Sequence, residues 1–143
     1  MLLILSGTFR GCSNLTTIPE LGIGNAINTK QMFSMCGNLT TIPALNTAQV
    51  RNAEMMFSGC SNLTEIPVLD MSQLESNEGM FSSCRNLSDN SLNNILAICT
   101  NATKIISGRN KLKYIGLTEE QANRCKTLSN YSAFTAAGWT TGY

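Results

Sequence analysis

Apolar residues recur at a fixed interval along the first 87 positions of the chain. Phe9, Phe33, Phe57 and Phe81 stand 24 residues apart, as do Cys12, Cys36, Cys60 and Cys84. Asn14, Asn38, Asn62 and Asn86 keep the same register, and Leu15, Leu39, Leu63 and Leu87 follow them directly. Ile18-Pro19, Ile42-Pro43 and Ile66-Pro67 come next, then Leu21, Leu45 and Leu69. All three prolines and four of the five phenylalanines obey this register, and no insertion disturbs it. Such self-similarity predicts repeating units that bury their apolar columns against one another, because one unit has too little core to fold alone.

Each unit reads M-F-x-x-C-x-N-L-[TS]-x-I-P-x-L followed by a variable stretch. The L-T-x-I-P-x-L part predicts a short strand closed by proline. In the stretch "TAQVRNAEMMFSG", Val50, Ala53 or Glu54, and Phe57 fall at helical spacing, and a small residue or glycine ends the run. The expected fold is therefore an α/β solenoid over residues 1–87, leucine-rich-repeat-like, with 24-residue units of short parallel strands and short helices.

After Leu87 the register stops. "SDNSLNNILAICTNA" opens on helix-capping residues and sets Leu92, Ile95, Leu96 and Cys99 on one helical face. "KIISGRNKLKYIGL" reads as two short strands around a Gly-Arg-Asn turn. Thr118 and Gln121 then form a capping box for a helix running to about Leu128. Residues 88–143 are expected to be a mixed α/β cap, with two helices and short strands, closing one end of the repeat. No equivalent cap precedes Phe9; the expectation is either a chain cut from a longer protein or, for a whole protein, "MLLIL" sealing the first unit or meeting another chain, a route to homo-oligomers through that end.

Composition narrows the function classes. Charged residues are only 13% of the chain and net charge is +1, so no global field attracts nucleic acid or acidic lipid. A local excess of cations gathers Lys104, Arg109, Lys111 and Lys113, without the interleaved aromatics of a single-strand binder. "MLLIL" is too short to span a bilayer or to serve as the apolar part of a signal peptide. The surface must be covered mainly by Ser, Thr, Asn and Gln, which suits an extracellular or assembly-exposed protein.

The repeated cysteines invite a metal or disulfide reading. Zinc needs ligands within a few residues of each other, whereas these recur every 24 and the chain has no histidine. Equivalent positions about 4.8 Å apart point the same way, which leaves their Cβ atoms beyond bridging distance. Cys12, Cys36, Cys60 and Cys84 are therefore expected to be free thiols acting as small apolar groups. Cys99 and Cys125 are the pair left as candidates for a bridge. Six Asn residues sit in N-x-[ST] sequons, four of them as a by-product of the repeat, where Asn is expected to form a ladder satisfying turn backbone groups. Lack of histidine excludes Ser-His and Cys-His nucleophiles, and Glu119-Glu120 is explained by helix capping. No cofactor motif is present: "GIG" at Gly22 to Gly24 lacks both a third glycine and a strand–helix context.

The spacing M-F-x-x-C-x-x-L-x-x-I-P over residues 8–87 resembles the BspA-type, or Treponema-type, leucine-rich repeat. The "MF" form is similar to a variant found in bacterial surface proteins and in phage-encoded proteins. The resemblance implies a curved solenoid used for adhesion or recognition on a cell or virion surface, without enzymatic activity. The expected partner is a protein or glycan. Columns that change between units while the core stays constant are the candidate binding residues: Thr17, Thr41 and Glu65, then Glu20 and Val68, then Asn46 and Asp70. The aromatic tail, Tyr131, Phe134, Trp139 and Tyr143, is a second candidate surface. An architectural domain of a virion or cell-surface assembly is the alternative.

Overall fold

The computed structural model describes residues 1–105 and 113–142. Regular secondary structure within them is sparse. Strands β1 (Leu3–Ile4) and β2 (Ala26–Asn28) form one parallel pair. Helix α1 (Asp89–Asn101) follows, then strand β3 (Tyr114–Gly116), helix α2 (Glu119–Cys125), helix α3 (Tyr131–Ala136) and strand β4 (Thr140–Gly142). β3 pairs in parallel with β4.

This corrects the expected fold class. A leucine-rich-repeat solenoid of strand–helix units is not what the chain forms; it is a small mixed α/β domain with two two-stranded parallel sheets among the described residues. No helix occurs among residues 1–87, and the segments read as repeat strands hold only isolated bridges such as Thr41 to Glu65. The reason is local. Gly7, Gln31, Met55 and Gly79 have φ of 67°, 56°, 52° and 64°, and Gly11, Met35, Gly59 and Ser83 have 73°, 63°, 77° and 62°. A right-handed helix cannot pass through two left-handed residues four positions apart. The backbone instead makes successive turns: the N–H groups of Met32, Ser34 and Cys36 donate to the carbonyls of Thr29, Gln31 and Phe33 at 3.0, 3.1 and 3.2 Å. In the L-T-x-I-P-x-L segments, Pro43 and Pro67 have no N–H to donate, which limits pairing to one or two bonds.

The 24-residue register persists as a contact register. Phe9, Phe33, Phe57 and Phe81 stack nearly parallel, with ring centroids 5.4, 5.8 and 5.7 Å apart. The N–H groups between the turn bonds point out of the unit: those of Gln31, Phe33 and Met35 donate to the carbonyls of Glu54, Met56 and Ser58 at 2.9, 2.9 and 2.7 Å. Leu39, Leu63, Leu87, Met56 and Met80 join the phenylalanines in a core that continues through Leu92, Ile95 and Leu96 of α1 to Phe134 and Trp139.

The C-terminal elements attach through polar side chains that substitute for backbone groups. The Ser91 hydroxyl accepts from Ile66 N–H and donates to the Thr64 carbonyl, both at 2.8 Å. Asn94 donates to the Ile66 carbonyl at 2.8 Å, Gln121 to Cys84 at 2.6 Å and Arg124 to Leu87 at 3.0 Å. Ser88 caps α1, and Thr118 with Gln121 forms a capping box on α2, which ends at Cys125 rather than near Leu128. β3 pairs with β4; the turn of the expected hairpin and the part of its first strand from residue 106 lie outside the described residues, as do Arg109, Lys111 and Tyr143. No described helix is long and apolar enough to cross a membrane.

The left-handed columns generate a stability prediction. Gly59→Ala places a Cβ 2.6 Å from Met35 Sδ at a φ of 77° and is expected to cost about 2 kcal/mol. Ser83→Gly, at an exposed residue with φ of 62°, is expected to add about 0.5 kcal/mol. Urea unfolding midpoints of the two variants check both signs; equal effects of the two would mean the left-handed columns do not govern the fold.

Candidate functional site

All seven candidate binding residues are exposed. Thr41 and Glu65 are brought side by side by their parallel bridge, and the same edge is continued by Thr40 N–H donating to the Thr16 carbonyl at 3.0 Å, next to Thr17. Val68 is 54% exposed, an apolar group without cover. Asn46 and Asp70 use their carboxamide and carboxylate oxygens locally, accepting from Ala48 and Ser72 N–H at 3.4 and 3.0 Å. The Ser72 bonds hold the Asp70 carboxyl below its usual range. Glu65 is not wholly free for a partner, because its Oε2 lies 3.4 Å from the Ser91 hydroxyl.

The cysteine column makes specific hydrogen bonds. The thiols of Cys36, Cys60 and Cys84 donate to the carbonyls of Phe9, Phe33 and Phe57 at 3.1, 3.2 and 3.1 Å. Each thiol therefore ties its unit to the preceding one at the residue whose ring stacks there. Burial raises all three thiols, Cys60 to about 12, and a neighbouring thiol adds to the rise at each. Cys12 alone is exposed. Cys99 and Cys125 are free and buried, and burial is the largest cause holding Cys125 up at about 11. The asparagine column reaches backwards: Asn38 donates to the Ser13 carbonyl at 2.6 Å and Asn86 to Ser61 at 2.8 Å.

Lys30, Glu54 and Ser76 form a cross-unit cluster. Lys30 Nζ lies 2.7 Å from Glu54 Oε2, and the Ser76 hydroxyl donates to the other carboxylate oxygen. Lys30 and then Ser76 lower the Glu54 carboxyl from its ordinary 4.5. Among the described residues, no group of three His, Cys, Asp or Glu side chains is placed to hold a metal ion.

The site that sequence reasoning missed is a cleft of about 460 Å³ between the last repeat unit and β3. Gly79, Ser82, Ser83 and Arg85 form one wall, and Tyr114 and Leu117 the other. No spacing rule joins these two segments; only the packing of the C-terminal elements brings them together. Phe134 and Trp139 of the aromatic tail are buried and stacked on each other at 6.1 Å, so that half of the second candidate surface is core.

A family model described as "Mycoplasma protein of unknown function, DUF285" matches residues 4–115. The chain belongs to this family. The DUF285 match covers the whole repeat, α1 and the first two residues of β3, and it fits, in coarse terms, a BspA-type surface protein. No curated protein and no solved structure matches the chain.

Two measurements probe these groups. A thiol reagent at pH 8 is expected to label Cys12 rapidly and the five buried cysteines only on unfolding, read by mass spectrometry of peptides. Fast labelling of Cys60 would contradict its buried, hydrogen-bonded state. Because the Glu54 carboxyl is depressed on folding, its stabilising contribution is present above 4.5 and is lost as pH falls through the lower folded value. Glu54→Gln should therefore be less stable than the parent at pH 7 and show a shallower loss of stability as the pH falls below the ordinary carboxylate value in urea unfolding. Parallel acid limbs would show that the carboxyl does not gain from Lys30 and Ser76.

Proposed function

We propose that this chain is a non-enzymatic recognition module, displayed outside the cell or on a virion, that binds a protein or glycan through the face carrying Thr17, Glu20, Thr41, Asn46, Glu65, Val68 and Asp70. One observation carries the reading. The inward columns repeat nearly without change, whereas these exposed positions differ from unit to unit, and among them Val68 leaves an apolar side chain in water. Few charges and many Ser, Thr and Asn side chains around it supply adaptable hydrogen bonding at low desolvation cost. The buried thiols are pushed away from the thiolate form, and a chain without histidine lacks the usual base to activate them. The similarity of the repeat to the MF-x-x-C-x-x-L variant of bacterial and phage proteins supports the same reading.

A second reading is an architectural domain of a virion or cell-surface assembly. It is favoured by Met1, Leu2 and Ile4, which are 98%, 64% and 71% exposed at the end opposite the C-terminal helices. Contact between chains at that end would cover them.

Glycan-array and cell-binding assays compared between the parent and Val68→Asp separate the two readings. Recognition through the face predicts that the substitution weakens binding about tenfold or more. It leaves a folded monomer by light scattering, since Val68 contributes little to the core. Assembly predicts an oligomer that dissociates on Leu2→Asp while Val68→Asp has no effect. A monomer that binds nothing on either platform contradicts both.

A further inference from the structure

Every junction between repeat units uses the same three donors and three acceptors. Gly7, Phe9 and Gly11 N–H donate to the carbonyls of Lys30, Met32 and Ser34 at 2.8, 2.9 and 2.8 Å. Gln31, Phe33 and Met35 repeat this onto Glu54, Met56 and Ser58, and Met55, Phe57 and Gly59 onto Glu78, Met80 and Ser82. The last unit presents Gly79, Phe81 and Ser83 in the same register, with Gly79 and Ser83 at the same left-handed φ. Among the described residues none of these three N–H groups has an acceptor. Phe81 is only 1% exposed, so its donor is also shielded from bulk water, a state that ordinarily has a partner.

This row differs from a β-strand edge. An edge strand alternates N–H and C=O, whereas here the outward groups are all donors, so the row is electropositive along its length. A docking strand would present its own N–H groups to half of them. An oxygen-rich ligand with no such donors fits better. The cleft of about 460 Å³ opens beside the row, with Gly79, Ser83 and the guanidinium of Arg85 on that wall. Glu78 also lines it, which disfavours a dianion such as phosphate and leaves room for a single negative charge. Opposite stand Leu117 and Tyr114, whose ring lies so close over Gly142 that a Cβ there would collide with it. The volume suits a monosaccharide, and an aromatic and aliphatic wall facing polar donors is the usual lining of a small-ligand site.

We propose that this cleft binds a sugar acid, whose oxygens accept from the N–H groups of Gly79 and Ser83 and whose carboxylate pairs with Arg85, while its ring lies against Tyr114 and Leu117. The site is separate from the exposed face that includes Val68 and Asp70, and the two stand or fall independently. The test is a ¹⁵N-amide titration of the full chain with glucuronate, with glucose and sulfate as comparisons. Saturable downfield shifts at Gly79 and Ser83 are expected with glucuronate and not with glucose. Arg85→Gln should weaken binding about fivefold and Glu78→Gln tighten it about twofold; both residues are exposed, so the fold tolerates the changes. Absence of shifts at these two amides overturns the proposal, as does equal binding of glucose. So do equal affinity for sulfate at the same amides and glucuronate binding undiminished by Arg85→Gln.

Discussion

The structure depends on a backbone hydrogen bond whose donor and acceptor lie 23 residues apart. Two left-handed residues in each unit turn alternate N–H groups outward in one direction and their acceptor carbonyls in the other. Such bonds set the separation of successive units, and that separation places the phenylalanine rings at 5.4 to 5.8 Å. It also brings each cysteine thiol within reach of a phenylalanine carbonyl in the unit before. Rings and thiols are consequences of the spacing; neither could hold it without the backbone.

A junction of one polarity has ends of one polarity, and the two ends of the repeat are treated differently. At the start, the carbonyls of Ser6, Thr8 and Arg10 have no donor among the described residues, beside exposed Met1, Leu2 and Ile4. Near residues 64–87 the free carbonyls are met by side chains of α1 and α2, with Ser91 serving as donor and acceptor at once. A hydroxyl or carboxamide can do this where a backbone cannot, because it reaches out of a helix whose own amides are already paired. Among the described residues the donors at Gly79, Phe81 and Ser83 receive no such cover, and the cleft lies beside them.

Much of the contact pattern was legible in the sequence. The Phe, Cys and Leu columns fall where the periodicity puts them, and Ser88, Thr118 and Gln121 mark the starts of α1 and α2. The expected repeat helix misled for a physical reason. Val50, Ala53 and Phe57 suit a helical face, but turns bonded from residue i to i+3 bury nearly the same positions, Val50, Ala53 and Met56 among them. The decisive signal would have been a left-handed residue, and at Met55, Met35 and Gln31 the side chains do not advertise one. Of the candidate face, exposure was legible, whereas the contact between Glu65 and Ser91 was not. The cleft was invisible because its walls, residues 78–85 and 114–118, share no motif.

The sequence by itself determined which residues meet. A strict interval of 24 with fixed apolar identities leaves one register in which Phe covers Phe and Leu covers Leu. Tertiary structure decided the rest: that the units are turns with isolated bridges, that the thiols donate to carbonyls, and that a cleft remains at the last junction. Those outcomes rest on backbone polarity, which every residue but proline shares and side-chain identity barely encodes. Periodicity records where apolar groups must coincide, while the direction of each N–H is fixed only when a neighbouring unit supplies the carbonyl.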